Sequence, residues 1–99
     1  MNKVFVEYKV KTEERQRFLS WAERLTASEK RVSVYEGADQ PNLFVELWEN
    51  IDYAEYEEMK AQRTGDAAQV SRFSDLTALS DFVEGGKAKI HIWYFRKVK

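Results

Sequence analysis

Residues 43–59 read "LFVELWENIDYAEYEEM" and hold a strand, a helix cap and a helix in succession. From Leu43 to Glu49 the chain alternates at period two. This puts Leu43, Val45 and Leu47 on one face, and Phe44, Glu46 and Trp48 on the other. Asp52 followed by Glu55 has the spacing of a capping box, in which each side chain satisfies a backbone N–H of the first helical turn. A helix is therefore predicted from about residue 53, interrupted by "TGD" at 64–66, where Gly65 reads as its stop. Asp66 can cap a further segment carrying Val70, Phe73, Leu76 and Leu79.

Working outward from that stretch, "RVSVYE" (31–36) is a second alternating run. The loop "GADQPN" (37–42), which holds the only proline, joins it to the 43–49 strand as a hairpin. Upstream, "KVFVEYKV" (3–10) alternates Val4, Val6, Tyr8 and Val10 against Phe5, Glu7 and Lys9. Thr12 then reads as an N-cap with Glu13 and Glu14 in the first turn of a helix that runs to about residue 28. Phe18, Trp21, Ala22 and Leu25 supply the buried stripe of that helix. Downstream, Gly85-Gly86 precede a last strand, 88–96, containing "KIHIWYF" and the only histidine, His91. The order is β-α-β-β-α-β. This predicts an α+β, ferredoxin-like, four-stranded antiparallel sheet with its helices on one face and the first and third strands at its centre. Residues 1–99 are expected to form one domain.

Composition narrows the function. Charged residues make up 33% of the 99-residue chain and hydrophobic residues 43%, a profile of globular rather than disordered or membrane proteins. No apolar run approaches the roughly 18 residues of a membrane helix. "MNKVFVEYKV" lacks a secretory h-region, so a cytoplasmic location is expected. Without cysteine there is no disulfide, thiolate metal site or cysteine nucleophile. A net charge of −1 gives no global field toward nucleic acid. Aromatic residues, at 14%, are the unusual figure.

With helices on one face only, the aliphatic sets Val4, Val6, Val32, Val34, Leu43, Val45, Leu47, Ile90 and Ile92 are expected beneath them. The other face would then carry Phe5, Glu7, Lys9, Ser33, Tyr35, Phe44, Glu46, Trp48, His91, Trp93 and Phe95. An aromatic patch of that size marks an interaction site. RNA-recognition domains share this strand order and stack bases on sheet aromatics. The third strand here, "NLFVELWE", lacks their K/R-G-F/Y-G/A-F-V-x-F/Y pattern, and Glu7 and Glu46 would repel phosphates. No nucleic acid or membrane is expected as a partner. A second copy of the chain is, with the two sheets face to face and their polar groups lining the space between.

The 43–59 stretch resembles the strand-to-helix signature of the dimeric α+β barrel superfamily. In that superfamily a strand ends in a tryptophan-containing turn, matched by Trp48, and leads into a helix with spaced aromatics, matched by Tyr53 and Tyr56. The likeness covers the whole chain by element order and the 43–59 stretch by motif. It implies a homodimeric barrel of the kind found in antibiotic-biosynthesis-type and haem-degrading monooxygenases, stress-responsive barrel proteins and small bacterial proteins without known activity. Haem-degrading members carry an asparagine near the start, a tryptophan in the third-strand region and an iron-ligating histidine on the second helix. Asn2 and Trp48 match the first two. The helix has no histidine, and His91 lies on a strand, so haem degradation is not expected.

Cofactor-independent oxygenation of a phenolic or quinone-like substrate demands less. It needs an apolar pocket and a base that makes an oxidisable anion. The candidate bases are His91, Glu7 and Glu46, with Phe5, Tyr35, Phe44, Trp48 and Trp93 as ligand-binding walls. No metal site and no cofactor are expected, and "EGGKAK" lacks Walker spacing. The competing expectation is a non-catalytic dimeric module whose aromatic face serves only as the subunit interface.

Overall fold

The computed structural model describes residues 2–65 and 74–99. Strands β1 (Asn2–Lys9), β2 (Val32–Gly37), β3 (Gln40–Glu49) and β4 (His91–Arg96) form one antiparallel sheet in the order β2-β3-β1-β4. The first and third strands are central, as the sequence predicts. Helices α1 (Arg15–Ser28) and α2 (Tyr53–Thr64) provide the β-α-β-β-α-β order.

The helices form for the local reasons read above, with one exception. Asp52 caps α2 in a complete capping box: its side chain accepts from Glu55 N–H at 2.8 Å, and Glu55 Oε1 accepts from Asp52 N–H at 3.2 Å. The helix stops at Gly65, whose N–H donates to the Ala61 carbonyl. The expected segment from Asp66 through Val70 and Phe73 lies outside the described residues. Leu76 and Leu79, on a 3-10 segment at Ser74–Asp81, are buried. Phe18, Trp21 and Ala22 of α1 are buried and Leu25 packs against them. Thr12 does not cap α1. A 3-10 turn at Thr12–Glu14 precedes the helix, and Thr12 Oγ1 instead accepts from Asn42 Nδ2 at 3.4 Å.

The hairpin is tighter than the sequence predicts, because β3 starts at Gln40 and includes Pro41. At that point β3 pairs only with β2, since its ladder to β1 begins at Leu43. The missing proline N–H therefore costs no central hydrogen bond. The last strand begins at His91 rather than 88. Gly85 and Gly86 both adopt positive φ, and a Cβ at Gly85 would lie 2.3 Å from Lys89 Cγ, so the chain turns sharply there before a 3-10 turn at Gly86–Lys89.

Register shows which residues share a face, since directly opposed residues of an antiparallel pair project to the same side. Val4, Val6 and Tyr8 oppose Trp48, Glu46 and Phe44, and all six are buried. Val32 and Val34 join that face opposite Trp48 and Glu46, and Ile92 and Tyr94 join it opposite Val6 and Val4. The expectation for β3 is thus inverted. Phe44, Glu46 and Trp48 lie under the helices, while Leu43, Val45 and Leu47 take their place on the open face. A strand that is apolar on both sides does not declare its own orientation, and a one-residue slip exchanges the two sets.

Candidate functional site

The open face carries Phe5, Glu7, Ser33, Tyr35, Leu43, Val45, Leu47, His91, Trp93 and Phe95. Five of the expected site residues, His91, Glu7, Phe5, Tyr35 and Trp93, are therefore together on it. Tyr35, Trp93 and Phe95 are 57%, 45% and 49% exposed, high values for rings of that size. Phe5 meets Phe95 edge to face with centroids 5.1 Å apart, and His91 lies nearly parallel to Trp93 at 6.0 Å. These contacts follow from register: Phe5 opposes Trp93 and is diagonal to Phe95 two positions along β4, while His91 and Trp93 are two positions apart on one strand.

Glu7 is the direct cross-strand partner of His91. Both line a depression of about 380 Å³ that also receives Lys9, Leu43, Glu84 and Lys89. An imidazole beside a carboxylate in a partly apolar recess has the composition of a general base and its orienting partner. Among the described residues there is no group of three His, Asp or Glu side chains arranged to hold a metal.

Glu46, Trp48 and Phe44 belong to a different arrangement on the other side of the sheet. Glu46 is fully buried and takes four hydrogen bonds. Tyr8 Oη donates to Oε2 at 2.5 Å and Trp48 Nε1 to Oε1 at 2.8 Å, while the Arg63 guanidinium donates to both oxygens at 3.0 and 2.5 Å. Arg63 comes from the last turn of α2 and is also fully buried, so the pair is a bidentate ion pair in the core. Burial, with the neighbouring Glu46 charge, raises the Tyr8 phenol well above the usual tyrosine range, which keeps it a neutral donor. Phe44 packs in the core against Phe18, with centroids 4.4 Å apart.

Arg63 is the residue that sequence reasoning missed, and a signal for it exists. It lies four positions after Met59 and seven after Tyr56, on the inward stripe of α2, where a cation requires an acid on the strand beneath. Asn2 is likewise engaged internally, its Nδ2 donating to Tyr94 Oη at 2.5 Å, while Tyr94 donates to the Ile51 carbonyl at 3.0 Å.

No protein-family model matches the chain, and no curated protein matches it. Among solved structures, the fold is similar to one described as the crystal structure of antibiotic biosynthesis monooxygenase. That comparison has a TM-score of 0.73 and 17% identity over 100% of both chains. It is also similar to a conserved protein from Methanosarcina mazei Go1, with a TM-score of 0.66 and 21% identity over 97% of this chain and 91% of that one. At these identities the likeness establishes the fold, and it agrees with the fold that the 43–59 signature implies.

Proposed function

We propose that the protein is a homodimer whose open sheet faces pack together and bind a small apolar or aromatic molecule between them. The observation that supports this reading is the open face itself. Phe5, Tyr35, Leu43, Val45, Leu47, Trp93 and Phe95 form a contiguous apolar surface that no other element among the described residues covers, and sheet faces of this kind are stable when buried against a second layer.

Within the enclosed space, Phe5, Tyr35 and Trp93 are the walls, and His91 with Glu7 is the base. Removing a phenolic proton there gives an electron-rich anion that can reduce dioxygen directly, so the leading chemistry is a cofactor-independent monooxygenation. One oxygen atom enters the ring to give a quinone, the other leaves as water, and the substrate supplies all four electrons. The resemblance at 43–59 and the fold shared with an antibiotic biosynthesis monooxygenase favour it. Glu46 cannot serve as the base while four donors occupy its oxygens; with Phe44 and Trp48 it supports the sheet from beneath. Oxygen uptake with a panel of naphthols tests the reading. His91→Ala should abolish turnover while leaving the dimer intact. Wild-type protein that consumes no oxygen with any naphthol, yet remains a dimer, would favour the non-catalytic module.

A further inference from the structure

A groove of about 570 Å³ lies at the free edge of the sheet, between β4 and the C-terminal half of α2. Ile90 and Ile92 contribute its apolar lining, Lys60 and Thr64 reach it from α2, Lys87 from the 3-10 turn, and Trp93 from the open side. Among the described residues no acidic side chain lines it. Both ammonium groups are held in place. Lys87 Nζ donates to the Gly65 carbonyl at 3.2 Å, and Lys60 Nζ lies 5.8 Å from the centroid of the Tyr56 ring. Among the described residues neither lysine forms an ion pair. The Thr64 hydroxyl is committed to the Lys60 carbonyl at 2.8 Å; the His91 and Trp93 rings also line the groove, and the ammonium groups are its positively charged donors.

We infer that this groove binds a planar aromatic carboxylate, with its ring along the edge of β4 against Ile92 and the rim of Trp93 and its carboxylate taken by Lys60 and Lys87. Two cations that line one groove, with no ion pair to either among the described residues, favour an anion there. The half-exposed indole and the partly exposed Ile92 give the ligand its apolar contact at the strand edge, with Ile90 buried beneath. The same ring without a charge has only the apolar half of the site. The inference depends on the single chain and not on a second copy covering the open face.

The test compares 2-naphthoate with its neutral isostere 2-naphthamide by calorimetry at low salt, for the wild-type protein and a Lys60→Gln/Lys87→Gln variant. Both lysines are solvent-exposed, and far-UV circular dichroism checks that the variant is folded. Naphthoate should bind with a Kd below about 1 mM. It should also bind more tightly than the amide, by a factor of about 2–5 for each lysine engaged. The preference should vanish in the double variant and shrink as salt is raised. Equal affinity for acid and amide, a preference that survives loss of both lysines, or no binding of naphthoate would each overturn the inference. Sedimentation of the same samples separates this outcome from the dimer proposal: a monomer that still prefers naphthoate refutes the dimer alone.

Discussion

Replacing Glu46 with glutamine tests the core arrangement more severely than any other single change. The substitution is nearly isosteric, so it leaves no cavity, but it removes the charge that faces a guanidinium with 0% side-chain exposure. Glutamine offers one acceptor oxygen where Tyr8, Trp48 and both ends of the Arg63 fork now donate, and Arg63 Nε already lacks a partner among the described residues. Breaking a buried pair from one side costs about 3–5 kcal/mol. Against a total stability of about 5–15 kcal/mol this is a large fraction. At about 4–8 °C per kcal/mol it corresponds to a fall in Tm of about 12–40 °C. Urea and thermal unfolding followed by circular dichroism measure it. Replacing the pair by hydrocarbon, Glu46→Leu with Arg63→Met, should recover part of the loss, because no charge then remains buried, although Tyr8 and Trp48 lose Glu46 as their acceptor. A Glu46→Gln cost below about 1 kcal/mol, or a double variant whose loss is the sum of the two single ones, would refute the reasoning.

The other predictions concern titration and capping. Hydrogen bonds from Arg15, and then from the Asn42 N–H, lower the Glu36 carboxyl to about 2, below its unfolded value. Its contribution is therefore full above about pH 4.5 and lost as the pH falls toward 2. Glu36→Gln should flatten acid unfolding in that window; an unchanged pH profile would contradict the assignment. Tyr8 has the opposite sign: burial first, then Glu46, raise its phenol, so its contribution holds below about pH 10 and is lost as the pH rises further. Tyr8→Phe should blunt alkaline unfolding and, by removing a donor to a charged oxygen, cost about 1.5–3 kcal/mol at neutral pH. Asp52→Ala removes the α2 cap and should cost about 1 kcal/mol in the same unfolding assays, with no change expected in the oligomeric state.

The sequence was legible wherever a local rule had only one solution. The capping box at Asp52, the alternation of Val4, Val6 and Tyr8, and the 18/21/22 stripe each carry their own geometry, and the structure matches all of them. Strand β3 was not legible in this way. Leu43, Val45 and Leu47 are as apolar as Phe44 and Trp48, and burying Glu46 is unfavourable unless Arg63, 17 residues away, is its counter-ion. The orientation of β3 is decided by that nonlocal pair. The consequence for the site is specific: the aromatic face keeps Tyr35, Trp93 and Phe95, gains three aliphatic residues, and keeps Glu7 directly across from His91.

The most direct test of the central claim is sedimentation equilibrium of the wild-type protein beside Val45→Lys. Val45 is half-buried at the middle of the open face and contributes to no hydrogen-bonded side-chain network, so a lysine there can point into water in a monomer but not between two packed sheets. The account predicts a wild-type species of twice the 11.7 kDa chain mass and a folded monomer for the variant. A wild-type monomer at micromolar concentration, or a variant that dimerises as well as the parent, would contradict it.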